Sequence, residues 1–229
     1  MRQKMLVLAL LASLVVLPGT LRAATMGTPK PAPTPAPPMS ASETEFVNAV
    51  TPDLTARFAT TSAATAAGYY RYTNEDSTGA ISWVNPAYWK SDPKHPAQLW
   101  YDVNGRLIGA DFSVLQAGLS AAPSMWGVSA SRFIPIEQHV HYGVKQPDGS
   151  VTFGGYGPKS AAKVGGTLSD PTKQDVVKLG KAQTVDQVAF VFQYPAIYDL
   201  QVWLVPNPLG QFAEHNPNVK PTKNAEPDM

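Results

Sequence analysis

The sequence predicts an α+β fold, with an N-terminal helical segment followed by a mainly antiparallel sheet. Apolar residues recur at helical spacing over residues 42–68, whereas they alternate with polar residues in most later stretches. Short turns join consecutive strand-like stretches, which favours pairing between strands that are neighbours in the sequence. A small closed or half-closed barrel would also satisfy this pattern.

The helical segment is predicted to begin at Ser42, because Ser42 and Glu45 have the spacing of a capping box. Pro52 follows Thr51 inside the apolar stripe, so we expect either two short helices or one helix kinked at Pro52. Gly68 is the predicted end of this segment, since glycine readily adopts the left-handed conformation that closes many helices.

Two hairpins are predicted next. In AQLWYDVNGRLIGADFSVL, Asn104-Gly105 has the composition of a tight primed turn, which would pair residues 99–103 with residues 107–111. In the second hairpin, Pro147-Asp148-Gly149 is the predicted turn between the strands IEQHVHYGVK and SVTFGGYG.

The last part of the domain returns briefly to helix. The glycine-containing stretch YGPKSAAKVGG is predicted to be a loop, and a short helix is expected after Ser169-Asp170-Pro171, ending near Gly180. Two further strands, DQVAFVFQY and IYDLQVWLV, then complete a single domain over residues 42–217.

The segments that flank this domain have a different composition. Residues 1–23 combine basic Arg2 and Lys4 with an apolar run and a small-residue cleavage site, the layout of a secretory signal peptide. We therefore expect a secreted or periplasmic protein that begins at or near Ala24. Residues 24–41 are proline-rich and predict an extended linker, and residues 218–229 predict a disordered tail.

Composition excludes several classes of protein. The chain contains no Cys, so neither disulfides nor thiol catalysis are available. Removal of the leader would take away three of the 18 Lys and Arg residues and none of the 17 acids, leaving a net charge near −2. A chain without a basic field is not expected to bind nucleic acid, and no membrane span is expected after leader removal.

The stretch IPIEQHVHYGVK carries the main candidate site. On a regular strand, Glu137, His139 and His141 would share one face. Two imidazoles and a carboxylate form a nitrogen–oxygen ligand set that suits zinc, copper, manganese or iron. Asp111 and His215 are further candidate ligands. The alternative interpretation is the solvated face of an ordinary half-exposed strand.

The chain also resembles an uncharacterised family of secreted bacterial proteins. The resemblance rests on Ala67-Gly68-Tyr69, on PAQLWYDVNGRLIGADFSV, and on the closing segment YDLQVWLVPNPLGQFAEHNPNV. It implies a shared fold and export, and it transfers no activity. Ser82 and Gln201 stand where the family pattern has histidines, and Asp111 stands where the pattern has a glutamate.

Three functions therefore remain open from the sequence. The first is a secreted domain that binds a divalent metal or a small polar ligand through the E-x-H-x-H strand. The second is a metal-dependent enzyme of hydrolase or oxidoreductase type, although no catalytic residue is predicted and the G-x-S-x-G nucleophile motif is missing. The third is a passive envelope or interaction domain without a site.

Overall fold

The computed structural model describes residues 33–90 and 92–226. The predicted signal peptide, residues 1–23, lies outside these ranges. Within them the chain has the α+β content that its sequence predicts. The helices are α1 (Ala41–Phe58), α2 (Thr61–Ala66), α3 (Pro158–Lys163) and α4 (Lys173–Lys178), and the strands are β1 (Tyr70–Glu75), β2 (Ile81–Val84), β3 (Gln98–Tyr101), β4 (Leu107–Leu115), β5 (Ile134–Ile136), β6 (His139–Lys145), β7 (Val151–Tyr156), β8 (Val188–Tyr194) and β9 (Ile197–Trp203).

The strands form two antiparallel sheets. The large sheet has the order β1-β2-β3-β4-β9-β5, and the small sheet has the order β7-β6-β8. Neither sheet closes on itself within the described residues, so the expectation of a closed barrel is wrong. The physical reason is that the edge strands of the large sheet do not meet: among the described strands, β1 pairs only with β2 and β5 pairs only with β9.

Helix α1 begins two residues earlier than its sequence spacing suggests. Ser40, rather than Ser42, caps the helix, and its hydroxyl accepts from the Glu43 amide at 3.1 Å. The Glu43 carboxylate in turn accepts a hydrogen bond from the Ser40 amide at 2.9 Å. It also forms a buried ion pair with Arg132 at 3.0 Å. The Arg132 guanidinium lowers the pKa of Glu43 to about 2. This pair fixes the helix start to the segment that leads into β5.

The structure also shows how the helical segment is divided around Pro52. Helix α1 continues through Pro52 to Phe58, and a second helix, α2, follows after a break. Gly68 adopts a φ of +88° directly after α2, as predicted for the end of the segment. The predicted helix boundary at Pro52 is therefore wrong: two helices are present, but the break between them falls after Phe58.

The helices and sheets are arranged as four layers. Helices α1 and α2 pack on one face of the large sheet, with Leu54, Phe112 and Leu200 among the fully buried contacts. Helices α3 and α4 pack on the small sheet around Val140 and Val176. Each sheet therefore has one face against helices, and the two remaining faces are turned towards each other across a third cluster that includes residues of β1, β2, β8 and β9.

The first predicted hairpin is confirmed, but its turn differs in detail. Strands β3 and β4 pair antiparallel, with Leu99 opposite Ala110. The Gly105 amide donates to the Asp102 carbonyl at 2.9 Å, and Gly105 has a φ of +74°. Asn104 does not have a positive φ. The turn is therefore a type I turn closed by a left-handed glycine. A separate register shift lies further along the hairpin, where Tyr101 pairs with Leu107 and Trp100 pairs with Gly109, so that Ile108 is the extra residue of a bulge.

Two other predictions are corrected by the structure. The stretch predicted to be a loop contains α3, which begins at Pro158 in the first helical turn, a position that proline favours. The segment predicted to be disordered from residue 218 is packed against β1 as far as residue 226. The Thr222 amide donates to Glu75 at 2.8 Å, and the Glu226 amide donates to the Glu75 carbonyl at 2.7 Å.

The proline-rich segment is also attached to the domain over its described part. Arg132 donates to the carbonyls of Pro37 and Pro38, both at 2.9 Å, and the Ala36 amide donates to the Leu209 carbonyl at 2.8 Å. None of the helices in the described residues combines the length and the apolar character that a membrane span requires.

Gly105→Ala should lower the free energy of unfolding by about 1–2 kcal/mol, because alanine resists the left-handed conformation. Asn104→Ala is the matched control and should change it by less than about 0.5 kcal/mol, as is usual for surface substitutions without a special backbone conformation. Urea denaturation followed by tryptophan fluorescence measures both. Equal losses for the two variants would instead indicate a primed turn with positive φ at both positions.

Candidate functional site

A cavity of about 650 Å³ lies between the facing sides of the two sheets. Its floor is the polar face of the large sheet, and its opposite wall includes residues of the small sheet. The floor arises from simple strand alternation. Ala110, Phe112 and Val114 point to the helices, so Asp111 and Ser113 point to the cavity side. On β9, Asp199 and Gln201 alternate in the same way with Leu200 and Val202.

Asp111 is a deeply buried carboxyl group on this floor, with only 3% of its surface exposed. Its Oδ2 accepts from the indole Nε1 of Trp100 at 2.8 Å. Its Oδ1 has no hydrogen-bond partner among the described residues. Burial, and then the neighbouring charge of Asp199, raise the pKa of Asp111 well above its usual range.

Asp199 is the second buried carboxyl group and lies on the adjacent strand, where it is paired in register with Ser113. Its Oδ1 accepts from the Ser113 hydroxyl at 3.1 Å. Burial raises the pKa of Asp199 to about 7. No Lys or Arg is found among the described residues that line the cavity, so neither carboxyl group has a cationic partner there.

The two predicted histidines meet on the opposite wall. The Nε2 atoms of His139 and His141 are 2.9 Å apart. His139 Nδ1 is 2.7 Å from the carbonyl oxygen of Glu137, which can only accept, so this nitrogen carries a hydrogen. In the neutral state, His141 Nε2 then donates to His139 Nε2, and His141 Nδ1 remains an acceptor. That Nδ1 atom is buried and has no described partner.

Both imidazoles are held in the neutral state. Burial lowers the pKa of His139, and burial together with the neighbouring His139 lowers the pKa of His141 to about 3. Aromatic rings enclose the pair. Tyr194 stacks on His139 with ring centroids 4.3 Å apart, and Tyr72 meets His141 edge-on at 4.7 Å.

A hydrogen-bonded chain crosses the cavity between these two tyrosines. The Tyr72 hydroxyl donates to the side-chain oxygen of Gln98, and the Gln98 amide nitrogen donates to the Tyr194 hydroxyl at 2.8 Å. Burial raises the pKa of both tyrosines well above the usual range. The chain therefore links β1, β3 and β8 through neutral groups, and it leaves the Tyr194 hydroxyl with a hydrogen to donate.

The predicted ligand set is only partly brought together. His139, His141 and Asp111 all line the cavity. Glu137 does not share a strand with the histidines, because β5 ends at Ile136 and residues 137–138 cross to the small sheet. The prediction that Glu137, His139 and His141 project from one face of one strand is therefore wrong for Glu137, whose side chain is exposed.

His215 also lies away from the cavity lining. Its Nε2 is 3.6 Å from Glu214, which is the residue of that loop that lines the cavity. In the described part of the chain, no three His, Asp or Glu side chains lie close enough together to hold a metal ion.

The sequence interpretation missed four residues that shape the site: Tyr72, Gln98, Tyr194 and Asp199. Asp199 was accessible to the same reasoning as the histidines, since the strand IYDLQVWLV alternates polar and apolar residues. For Tyr72, Gln98 and Tyr194 the sequence holds no comparable signal, because their contacts join strands that are far apart in the chain.

The three positions singled out by the family resemblance also meet here. Ser82, Asp111 and Gln201 line the same cavity, and Asp111 is paired in register with Gln201.

Comparison with known proteins identifies no relative of this chain. No protein-family model matches the sequence, and no curated protein or solved structure shows significant similarity to it. The resemblance therefore stays a prediction.

The buried groups set the pH dependence of stability. The folded pKa of Asp199, about 7, lies above its ordinary 3.8, so this group stabilises the fold fully below about pH 4 and loses that contribution as pH rises through 7. The folded pKa of His141, about 3, lies below 6.5, so its contribution is present above pH 6.5 and is lost as pH falls towards 3.

Asp199→Asn should consequently show a smaller fall in the free energy of unfolding between pH 4 and pH 8 than the unmodified protein. Asparagine keeps an acceptor for Ser113 and has no proton to lose. Urea denaturation at several pH values tests this, with the exposed Asp170→Asn as control. Parallel profiles for Asp199→Asn and the unmodified protein would contradict the assignment.

Proposed function

We propose that this domain binds a small polar ligand in the cavity between its two sheets, and that it does so as an exported protein in the secreted or periplasmic space. The observation that carries the proposal is the carboxyl group of Asp111, a residue that lines this cavity and whose buried Oδ1 has no hydrogen-bond partner among the described residues. An unpaired buried polar atom costs about 1–3 kcal/mol, so a ligand that forms a hydrogen bond with it recovers that energy.

The cavity has the other properties of a ligand site. Its volume of about 650 Å³ falls within the range of small-molecule sites, roughly 300–1,000 Å³. Its walls combine aromatic side chains with a few convergent polar groups: the His139–His141 pair, the Tyr194 hydroxyl and the two buried carboxyl groups. Buried hydrogen bonds hold Gln98 and Tyr194, so these groups are positioned before a ligand arrives.

Filling the cavity tests the proposal. Fragments of different charge should shift the indole N–H signals of Trp100 and Trp203 in NMR spectra, because both rings line the cavity. Ser82→Phe introduces bulk into the same space and should weaken binding at least about tenfold, or 1.4 kcal/mol. Ser120→Phe, in an exposed turn, is the matched control and should bind normally. Undiminished binding by Ser82→Phe would contradict a site in this cavity.

A second candidate function is a divalent-metal site built on His139 and His141. The 2.9 Å separation of their Nε2 atoms corresponds to two zinc–nitrogen bonds of about 2.0–2.1 Å at an angle of about 90°. The bond from His139 Nδ1–H to the Glu137 carbonyl orients the ring in the way that metal-bound histidines are usually oriented. Two imidazoles would leave further positions to solvent or a ligand.

Zinc titration by calorimetry separates the two candidates. If the histidines bind metal, the double change His139→Ala with His141→Ala should abolish binding, and His95→Ala should not, because His95 lies in an exposed turn paired with Asp92. Binding should also weaken as pH falls below the lowered pKa values of the two histidines, since only neutral histidine is a ligand. Equal zinc content in all three proteins would remove the metal candidate and leave the small-molecule proposal intact.

A further inference from the structure

The charge of the cavity lining points to a class of ligand. Six carboxyl side chains line the cavity: Glu75, Asp76, Asp111, Asp199, Glu214 and Glu226. The described lining residues include no Lys or Arg, and its two histidines are held neutral. A concave site lined by one sign of charge attracts ligands of the opposite sign.

Three of these carboxyl groups, at the rim of the cavity, already accept hydrogen bonds from neutral donors. Glu75 accepts from the amide and hydroxyl of Thr222, Asp76 accepts from Thr78, and Glu226 accepts from Asn74 at 2.7 Å. The floor differs from the rim. Among the described residues, Asp111 is nine-tenths buried or more and its Oδ1 has no partner, and the only donor to the Asp199 carboxyl group beside it is the Ser113 hydroxyl. A positively charged hydrogen-bond donor would therefore gain the most binding free energy on the floor, beside Asp111 and Asp199.

The walls suit an organic cation better than a bare ion. Aromatic side chains of Tyr72, Trp100, Phe153, Tyr194 and Trp203 line the cavity, and the faces of such rings attract ammonium groups. A metal ion needs several ligand atoms within a few ångströms, and no group of three His, Asp or Glu side chains is so placed in the described residues. A volume of about 650 Å³ accommodates a whole small molecule.

We propose that the ligand is a small organic cation whose ammonium group is bound by Asp111 and Asp199 on the cavity floor, with the aromatic walls around its apolar part. The inference rests on the proposed function and narrows it to one class of ligand. The ammonium group donates to Asp111 Oδ1, and its positive charge favours the ionised form of both carboxyl groups, which burial alone disfavours.

Three probes of nearly equal shape test the role of charge. Tyramine, tyrosol and 4-hydroxyphenylacetate share a phenol ring and end in an ammonium, a hydroxyl and a carboxylate group, respectively. By isothermal titration calorimetry, tyramine should bind at least about tenfold more tightly than tyrosol, a difference of 1.4 kcal/mol. 4-Hydroxyphenylacetate should show no measurable binding, because its charge repels the lining.

Substitutions locate the ammonium group. Asp111→Asn and Asp199→Asn keep acceptors for Trp100 and Ser113 and remove the carboxylate, so each should weaken tyramine at least about tenfold. Asp170→Asn removes an exposed carboxylate elsewhere and should have no effect. Circular dichroism confirms folding. If either floor variant fails to fold, Glu214→Gln at the exposed rim should still weaken tyramine about two- to threefold and reduce the salt dependence of its binding.

The outcomes separate this inference from the proposed function. Equal affinity for tyrosol and tyramine, or unchanged tyramine affinity in the floor variants, would overturn the cationic ligand while a cavity site sensitive to Ser82→Phe remains. If no probe binds and the fragment screen also leaves the Trp100 and Trp203 signals unmoved, the cavity site itself fails, and the inference fails with it.

Discussion

The antiparallel pairing of β4 with β9 is the contact on which the fold and the site both depend. It runs from Gly109 opposite Trp203 to Leu115 opposite Ile197, in the interior of the large sheet. In the middle of this pairing, Phe112 and Leu200 point towards the helices, whereas Asp111, Asp199 and Gln201 point towards the cavity. A shift of one residue would exchange the two faces, so that carboxyl groups would meet the helices and Phe112 would enter the cavity. The hydrophobic core therefore also fixes the position of the polar floor.

Gly109 lets the floor take its shape. It is paired in register with Trp100 on one side and Trp203 on the other, and these two rings have centroids 5.3 Å apart. A Cβ atom at Gly109 would lie 2.1 Å from the Trp100 ring. The missing side chain allows Trp100 to lie across β4 and to donate to Asp111 Oδ2. Gly109 thus allows the hydrogen bond from Trp100 to Asp111 Oδ2, while Asp111 Oδ1 has no partner among the described residues.

Local patterns predicted much of this structure, and long-range contacts account for what they missed. Alternation along β6 correctly placed His139 and His141 on the face opposite Val140, since strand geometry alone decides this. The same reasoning failed at Glu137, because the regular strand is interrupted after Ile136. Strand β5 pairs with β9 in the large sheet, whereas β6 pairs with β7 and β8 in the small sheet. Alternation within the sequence does not show where a chain passes from one sheet to another. The capping box at Ser40 was missed because Ser42 offers the same spacing, and the choice depends on Arg132, far along the chain.

The packing of the C-terminal segment against β1 has a consequence for association between molecules. Edge strands present free backbone groups that can pair with another chain, which is a common route to aggregation. At one edge of the large sheet, a bridge between Asp76 and Glu226 adds backbone pairing at the end of β1. At the other edge, β5 is only three residues long and contains Pro135, which has no amide hydrogen. Both edges of the large sheet therefore have few free backbone groups with which a strand of a second molecule could pair.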